Sequence, residues 1–555
     1  MRDRIFEDQI TREREAFIRS ITDEKGDSIC ALASSYHHDA PCAIVDVSHG
    51  SFNVCVSVQF DIMRTSSSPA RWVVRIPFPG RVPWIDEKID SEVATMMYIA
   101  EKTTIPVPKI HAWSYNAQSP IGHAFIIMDH VQGTSLNAML FRKIDRWGYT
   151  TGARRSKDLK RVHDQLADLY IQLRSLEFSE IGALGMPTSE SPAIAIRHRP
   201  MPMELVLQET EKLNPSVVFP EKIFTKPEEY IHALVKLSRN RLKRTRDPDF
   251  GTEESGYEVV FAHEEFYKYM LTSFLRKTRR NGPFVLMHGD MALQGNNLIW
   301  DDELNLVGVL DWEFCHTVPT SCFIPPAWIN GFSPDPIIEI GRMGIFYDIE
   351  ISSLKRSITE RSQQQWPASP LKQEWDRRGE SDDPHVSVFL ALLHPEVIDS
   401  AFWAFLMHQF YSPCFLPPKP TNDIASQKLE TFRENEEIRN FVKKRIADEQ
   451  SYAEKYEAYV RENGKTHGCQ CVSCEKQRGN FEHLQQLPML LHPLDVPVEY
   501  ESTGPEPTPT PEFKITPLHV IMSSRTGEES SESDEESGES SEDSSGSDIM
   551  TCELP

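Results

Sequence analysis

A chain of 555 residues, 39% of them hydrophobic, is too long for one hydrophobic core and predicts two or three folded units. Its net charge of −24 gives no support for binding nucleic acid, and no apolar run approaches the ~20 residues of a membrane span. The ten cysteines follow no framework spacing, so we expect a reduced intracellular compartment, the cytoplasm.

The first part of the chain is predicted to be rich in β-strands after a charged helical segment at residues 1–39. Two β-prone runs, at 43–47 and 54–58, flank a turn of mostly small residues. Backbone amides can approach phosphate oxygens where side chains are small, so the turn suits a hairpin that covers phosphates. An ordinary hairpin is the alternative. The candidate ligand-contacting residues of the turn are Gly50, Ser51, Phe52 and Asn53.

A strand, a helix and a second strand are predicted next along the chain. We predict a strand at Arg71–Pro77, a helix at Ser91–Ile99 and a buried strand that ends near Met128. Residues 156–177 form the clearest helix, because leucines and a valine recur at spacings of three and four. A long charged helix is predicted over residues 425–462.

The stretch around His288-Gly289-Asp290 carries the strongest chemical signal. The apolar run 284–287 predicts a buried strand before it, and 298–300 and 306–310 predict a hairpin after Asn296 and Asn297. This hairpin would return Asp311 to the loop that holds Asp290. Two carboxylates and a carboxamide would then meet at a site suited to Mg²⁺, with one acid left to handle a proton.

This order of strand, His-Gly-Asp loop, hairpin and second Asp resembles the catalytic centre of the aminoglycoside phosphotransferase and choline kinase family, in particular its fungal members. The resemblance implies an α+β, two-lobed protein-kinase-like fold with a small β-rich N-lobe and a larger, mainly helical C-lobe. It implies the N-lobe at 40–130 and the C-lobe with its catalytic loop at 131–420. Composition and periodicity predict the rest of the chain: a helical extension at 1–39, a helical extension with a Cys-rich segment at 421–500, and a disordered acidic tail at 501–555.

The resemblance also implies roles for the oxygen-bearing residues. Asp290 would orient the acceptor and take its proton, while Asn297 and Asp311 would bind Mg²⁺. The family's metal-binding Asn usually lies five positions after the Asp, where this chain has Gly295. Since Asn297 directly precedes the hydrophobic strand, we infer a two-residue insertion and favour it over Asn296.

Two charged residues of the N-lobe have family counterparts. Arg75 stands where the family usually has a phosphate-binding lysine, and Glu92 is the implied partner on the next helix. On the residues alone, an exposed arginine at a strand edge and a Glu favoured by the helix dipole are the alternative. The family holds adenine through backbone groups that correspond to Met128 to His130.

The implied activity is ATP- and Mg²⁺-dependent transfer of the γ-phosphate to a hydroxyl of an unidentified small molecule. A second interpretation stays open, because an arginine replaces the lysine and the loop is longer than usual. In it the chain is a weakly active or inactive pseudokinase that serves as a binding or regulatory module. Neither nucleic acid nor a membrane is an expected partner.

The Cys-rich segment offers a second candidate site. Cys469, Cys471 and Cys474 supply thiolates suited to zinc, with His467 and His483 nearby. Their spacing is tight and no second C-x-x-C pair follows. A flexible loop of reduced thiols is therefore the alternative.

The C-terminal tail is predicted to be disordered because it is rich in Pro, Ser and acidic residues from about residue 502. Ten carboxylates and no Lys or Arg lie in residues 527–548. Its serines are candidate phosphorylation sites, and its charge is a candidate docking point for basic partners. A purely solubilising role is the alternative.

Overall fold

The computed structural model describes most of the chain and leaves several predicted features outside it. It describes residues 3–60, 69–136, 156–278, 281–289, 295–329, 341–376, 385–407 and 424–464. Asp290, the candidate zinc-binding cysteines and the acidic tail lie outside these ranges. Within them, no helix combines the length and the apolar character that crossing a membrane requires.

The N-terminal lobe is built on one five-stranded antiparallel sheet. Its strands are β1 (Cys42–His49), β2 (Asn53–Phe60), β3 (Arg71–Pro77), β4 (Ile110–Ser114) and β5 (Phe125–Asp129), in the order β1-β2-β3-β5-β4. The predicted strands at 43–47 and 54–58 are confirmed. β2 is an inner strand, and its β-branched residues Val54, Val56 and Val58 are fully buried.

Helices cover both faces of this sheet. They are α1 (Arg4–Arg19), α2 (Gly26–Ser35) and α3 (Ile85–Lys102), with a short π-helical turn at Ser20–Glu24 after α1. Ile29 of α2 packs with Ile127 of β5 on one face. Ile89 and Val93 of α3 pack with the adjacent Ile126 on the other face, because successive residues of a strand point to opposite sides.

The second lobe is mainly helical. Its described helices are α4 (Ser156–Ser175), α5 (Met203–Thr210), α6 (Pro227–Arg244), α7 (Glu253–Tyr269), α8 (Gly341–Gln364), α9 (Leu371–Trp375), α10 (His385–Leu393), α11 (Ile398–Ala401), α12 (Ile424–Glu434) and α13 (Glu436–Asn463). Its described strands are β6 (Thr134–Ser135), β7 (Glu177–Phe178), β8 (Ala183–Gly185), β9 (Ala195–His198), β10 (Phe284–Met287), β11 (Leu298–Trp300), β12 (Leu306–Val309) and β13 (His316–Pro319). A small β-rich lobe followed by a larger helical lobe confirms the predicted α+β, two-lobed kinase-like fold.

The helix α4 lies in the core of the second lobe. Leu166 and Leu173 of its apolar stripe are buried, which confirms the spacing of three and four residues. Its other side pairs with α8, where the guanidinium of Arg361 donates to the carboxylate of Asp168 at 2.8 Å. The helix is therefore held on one side by the core and on the other by α8.

The charged helix predicted over residues 425–462 is two helices, so the prediction of one continuous helix was wrong. The chain leaves the helical conformation at Asn435, whose side-chain oxygen accepts hydrogen bonds from the amides of Glu437 and Ile438 at 2.9 and 3.2 Å. Asn is among the best residues for starting a helix in this way. The cap ends α12 and begins α13.

Helix α1 joins the two lobes. At its start, the hydroxyl of Tyr452 on α13 donates to the carboxylate of Asp3 at 2.7 Å. One turn later, Glu7 pairs with Arg81 in the connection between β3 and α3, with 3.1 Å between the charged atoms. The helix thus contacts the second lobe at one end and the N-terminal lobe farther along.

Helix α3 is held against the second lobe as well. The carboxylate of Asp90 accepts hydrogen bonds from His198 of β9 at 2.6 Å and from the amide of Met186, just after β8, at 3.1 Å. Arg199 reaches Glu87, one turn before, at 3.0 Å. The β8–β9 hairpin therefore fixes where α3 lies relative to the core of the second lobe.

Candidate active site

Arg75 of β3 lies in the middle of a buried cluster of ion pairs. Its side chain is only 8% exposed, so the alternative of an exposed arginine at a strand edge is wrong. The guanidinium donates to the carboxylates of Glu92 on α3 and of Asp311, and lies 3.2 Å from Oε2 of Glu313. A planar guanidinium has donors in several directions, which allows one side chain to serve three carboxylates.

Lys88 is a second buried cation in this cluster. Its Nζ lies 2.8 Å from Glu92 and 2.7 Å from Glu313. Asn53 of β2 accepts from Lys88 at 3.1 Å and donates to Glu313 at 3.0 Å. Burial raises the pKa of Glu313, but the charges of Lys88 and Arg75 outweigh burial and lower the pKa to about 2. Glu313 is therefore ionised throughout the physiological range.

The β11–β12 hairpin returns the chain to the end of β10, as predicted. The amide of Leu310 donates to the carbonyl of Asn297 at 2.8 Å, and Nε2 of His288 donates to the carbonyl of Leu310 at 2.9 Å. Asp311 follows with φ of +66°, a left-handed conformation that residues other than Gly use sparingly. These contacts place Asp311 where it meets Arg75.

Gly289 is required by a close approach of two backbone segments. A Cβ at this position would lie 2.9 Å from the carbonyl oxygen of Phe314 and 3.0 Å from that of Glu313. The central residue of His-Gly-Asp is therefore a glycine for a steric reason. The next residue, Asp290, lies outside the described residues, so its role as the base stays a prediction.

The turn between β1 and β2 presents some of its predicted residues to solvent and others to the protein. The amide of Gly50 donates to the carbonyl of Asn53 at 3.0 Å, and Gly50 and Ser51 are exposed. Phe52 points inward, where its ring lies edge-on to that of Phe314. The side chains of Phe52 and Asn53 face the protein, so their contacts with a phosphate would come from the main chain.

Met128 and His130 lie at the end of β5, on the segment predicted to hold adenine. The side chain of Met128 is buried. The amide of Asp129 donates to the carbonyl of Lys109 and that of His130 to the carbonyl of Arg71, both at 3.0 Å. Because these two amides are used within the protein, adenine would need other backbone groups of the segment.

Of the predicted site residues that the structure describes, four are joined in one hydrogen-bonded cluster. The shared cluster consists of Asn53, Arg75, Glu92 and Asp311. Reasoning from the sequence missed Lys88 and Glu313. A signal for Lys88 existed, because it lies four residues before Glu92 and such residues share one face of a helix.

An Asp-Phe-Gly triplet occurs at residues 249–251, with the letters of a protein-kinase metal-binding loop. It precedes the His-Gly-Asp loop, whereas in protein kinases the triplet follows the catalytic loop. Phe250 packs against Val442 of α13 in a separate apolar cluster. The triplet therefore lies apart from the buried ion-pair cluster, and Asp311 remains the candidate metal ligand.

The oxygen atoms near Asp311 suit Mg²⁺ in combination with a nucleotide. In the part of the chain that the structure describes, no three His, Cys, Asp or Glu side chains are grouped as metal ligands. Mg²⁺ usually binds one or two carboxylates plus phosphate oxygens rather than an all-protein cage. The cluster contains three carboxylates, on Glu92, Asp311 and Glu313, and two cations, on Arg75 and Lys88. One negative charge is therefore left unbalanced, and it can attract a metal ion.

Comparison with known proteins finds a family model that matches the part of the chain holding the ion-pair cluster. Residues 60–322 match the phosphotransferase enzyme family, and this range contains Arg75, Glu92 and Asp311. The match covers just under half of the chain. The assignment confirms the resemblance to aminoglycoside phosphotransferases and choline kinases.

Curated relatives match only part of this chain. "Altered inheritance of mitochondria protein 9, mitochondrial" from Zygosaccharomyces rouxii is 32% identical over 120 residues, which cover 20% of this chain and 18% of that protein. "Clavilactone A biosynthesis cluster protein Y" from Ampulloclitocybe clavipes is 25% identical over 248 residues, 44% of this chain and 54% of that protein. The chain thus spans about a fifth to about half of these relatives.

Solved structures with a similar arrangement include an aminoglycoside phosphotransferase and an ethanolamine kinase. Aminoglycoside phosphotransferase APH(4)-Ia is 12% identical with a TM-score of 0.33, covering 71% of this chain and 95% of that chain. An ethanolamine kinase from Plasmodium vivax is 12% identical with a TM-score of 0.32, covering 73% and 81%. Scores this low carry no information about the details of the site.

Proposed function

We propose that this member of the phosphotransferase family uses ATP and Mg²⁺ to phosphorylate a hydroxyl group of a small molecule. The observation that carries the proposal is the bridge that Arg75 makes between Glu92 of the N-terminal lobe and Asp311 of the second lobe. In kinase-like enzymes, a β3 cation paired with a helix Glu holds phosphates, and a later Asp holds the metal. Here one guanidinium contacts both carboxylates.

Each residue of the site then has a defined task. Arg75 holds the α- and β-phosphates, and Asn297 and Asp311 hold Mg²⁺, which when bound neutralises phosphate charge. Asp290 orients the acceptor hydroxyl and takes its proton. As the bond from the acceptor oxygen to the γ-phosphorus forms, the bond to the β–γ bridging oxygen breaks and ADP leaves. Backbone groups at residues 50–53 and 128–130 contact phosphate and adenine.

The exposure of the three carboxylates indicates where the nucleotide enters. The side chain of Asp311 is 28% exposed, whereas those of Glu92 and Glu313 are 0% and 4% exposed. Phosphates therefore approach Arg75 from the side of Asp311. Binding has to loosen the contact between Arg75 and Asp311, because phosphate oxygens compete for the same N–H donors.

The acceptor class and the location are part of this proposal. The resemblance to aminoglycoside phosphotransferases and choline kinases favours a small molecule with a hydroxyl group as the acceptor. We propose an acceptor of this size and a cytoplasmic location. One curated relative is named mitochondrial, so fluorescence microscopy of the tagged full chain should measure the location.

A binding module without turnover is the second candidate. Two sequence features favour it: Arg75 replaces the family's lysine, and Asn297 lies seven residues after Asp290 instead of five. A guanidinium is not equivalent to a lysine point charge at a phosphate. Such a pseudokinase would bind nucleotide or a partner protein and release no ADP.

Thermal melting with nucleotide tests the proposal. A ligand that binds only the folded state raises the melting temperature, so MgATP should raise it well above the values with Mg²⁺ alone or with ATP and EDTA. Asp311→Asn should abolish most of this difference, and Asp302→Asn, on the exposed turn of the same hairpin, should not. Equal shifts with and without Mg²⁺ would remove the metal assignment.

A screen for the acceptor follows if MgATP binds. Hydroxyl-bearing metabolites are offered with MgATP, and ADP release is measured with the wild-type chain and with Asp290→Asn. Acceptor-dependent release by the wild type alone supports the enzyme. Binding without release for any metabolite supports the pseudokinase.

A further inference from the structure

Lys88 is a buried lysine for which the proposed reaction has so far provided no role. Its side chain is only 1% exposed. Burying an ammonium group is costly unless it is paired and hydrogen-bonded. Its three N–H donors meet three acceptors: Glu92 at 2.8 Å, Glu313 at 2.7 Å and Asn53 at 3.1 Å. Every donor of this lysine is therefore used within the site.

The three acceptors belong to three different parts of the site. Glu92 is the partner of Arg75 on α3, and Asn53 ends the turn between β1 and β2. Glu313 follows Asp311 by two residues. The Nζ atom of Lys88 thus connects α3, the turn between β1 and β2, and the segment that follows Asp311.

The balance of charge shows how Lys88 affects Arg75. Without Lys88, Glu313 would lose its closest cation, at 2.7 Å, and would be left to Arg75, which lies 3.2 Å away. A buried carboxylate attracts any available cation strongly. Glu313 would then compete with Asp311 and with the phosphates for the guanidinium.

The charged state of Lys88 is consistent with this balance. Burial by itself lowers the pKa of Lys88, but Glu313 and Glu92 outweigh burial and raise the pKa above its ordinary value. The ammonium form is therefore retained at neutral pH. A neutral amine could not balance the charge of Glu313.

We propose that Lys88 is a positioning residue for phosphate transfer: it neutralises Glu313 and thereby keeps Arg75 available to Asp311 and the nucleotide. The inference rests on the proposed function, in which Arg75 contacts the phosphates. It differs from a purely packing role, because the charge of Glu313 is what makes Lys88 necessary.

A double-mutant cycle tests this role with MgATP as the probe. Isothermal titration calorimetry compares the wild type with Lys88→Met, Glu313→Gln and the double variant, each checked for folding by thermal melting. Lys88→Met should weaken MgATP binding about tenfold to a hundredfold, the range for losing a buried hydrogen bond to a charged group. Adding Glu313→Gln should restore binding to within about threefold of the wild type, because the uncompensated charge is gone.

Lys160→Met is the matched control. Lys160 also pairs with two carboxylates, Asp164 at 2.9 Å and Glu360 at 2.8 Å, but its side chain is 54% exposed. Exposed pairs contribute little, so this variant should bind MgATP like the wild type. A loss here equal to that of Lys88→Met would overturn a specific role for Lys88.

The outcomes separate this inference from the proposed function. If the wild type does not bind MgATP, the proposed function fails. If the wild type binds and folded Lys88→Met binds equally well, or if Glu313→Gln does not restore binding, the role of Lys88 fails alone. If Lys88→Met does not fold, the double variant decides: near wild-type affinity supports the role, and a loss of about tenfold or more overturns it.

Discussion

The ring of Phe52 lies edge-on to the ring of Phe314, with centroids 5.0 Å apart and an interplanar angle of 73°. Both rings belong to one small apolar cluster together with Val82 and Met201. Phe314 has φ of +59°, a costly conformation for a bulky residue that the surrounding packing has to maintain. The turn between β1 and β2 and the segment after Asp311 therefore pack against each other.

Phe52→Leu should weaken this contact without emptying the cluster. Losing the edge-to-face pair should lower the free energy of unfolding by about 0.5–1.5 kcal/mol, measured by urea denaturation. MgATP affinity should fall as well, because the turn loses its support. Ser51→Ala, at an exposed neighbouring position, is the control and should change stability by less than about 0.5 kcal/mol. Unchanged MgATP affinity in folded Phe52→Leu would show that the two segments act separately.

Asp290→Asn and Asp311→Asn should have different effects on the reaction. Asp290→Asn should leave MgATP affinity nearly intact and lower turnover of the identified acceptor by ~10²–10⁴, as expected for a lost general base. Asp311→Asn should lower both the rate and MgATP affinity, because it removes a proposed ligand of the cation. Initial-rate kinetics and calorimetry measure the two quantities. Wild-type turnover in Asp290→Asn would disprove its catalytic role.

The two asparagines test the inserted loop. Asn297→Ala should resemble Asp311→Asn, with MgATP affinity reduced by roughly tenfold or more and ATP affinity in EDTA much less affected. Asn296→Ala is the matched neighbour and should be milder. The reverse order in a titration of both variants would mean that the alignment of the loop is wrong by one residue.

Arg75→Lys should be destabilising although it introduces the residue that the family usually has. A lysine cannot direct donors to Glu92, Asp311 and Glu313 in the way a guanidinium does, so at least one buried carboxylate loses a hydrogen bond. We expect a loss of about 1–3 kcal/mol in the free energy of unfolding. Arg71→Lys, at an exposed position of the same strand, is the control. Equal stability with faster turnover would show that lysine is sufficient.

Three buried histidines should make stability depend on pH. Burial lowers the pKa of His263 to about 3 and the pKa values of His288 and His316 to about 4. In the unfolded chain a histidine titrates near ~6.5, so below this pH the unfolded state binds protons that the folded state does not. Stability is therefore complete above about pH 6.5 and falls towards pH 4, by about 1.4 kcal/mol per pH unit for each histidine.

Urea denaturation at several pH values measures this slope, and His263→Leu tests its origin. Nε2 of His263 has no hydrogen-bond partner among the described residues, and Nδ1 shares a buried hydrogen bond with the hydroxyl of Tyr267 at 3.0 Å. Replacing this side chain therefore removes one hydrogen bond at every pH, and only the loss of its titration changes the slope with pH. The slope below about pH 6.5 should decrease by about one proton. The same slope in the variant would mean that His263 titrates normally in the folded chain.

Elements that depend on local residue patterns can be predicted from the sequence. The hairpin of β11 and β12 was predicted from two apolar runs and a polar turn, and α4 from its periodicity. Asn435 was overlooked as a helix start, although Asn followed by Glu residues is a local signal of one. The apolar periodicity on both sides of Asn435 predicts one continuous helix, and this periodicity does not reveal the break.

The ion-pair cluster was only partly predictable, because its members lie far apart in the chain. Asn53 and Glu313 are separated by 260 residues, and no local pattern pairs them. Lys88 lies on an amphipathic helix, where a lysine is ordinarily exposed. It is buried because α3 packs both on the sheet and against the second lobe, which is a tertiary effect.

The position of β2 has a practical consequence for recombinant work. The matched family range begins at residue 60, where β2 ends. A fragment trimmed to 60–322 would lack β1 and β2, so β3 would become an edge strand with unpaired backbone groups. Exposed edge strands of this kind promote aggregation. Insolubility of such a fragment would result from the loss of two of the five strands and would not show that the protein is inactive. Preparations that span residues 3–464 retain the whole sheet and the hydrogen bond between Asp3, at the start of α1, and Tyr452 of α13.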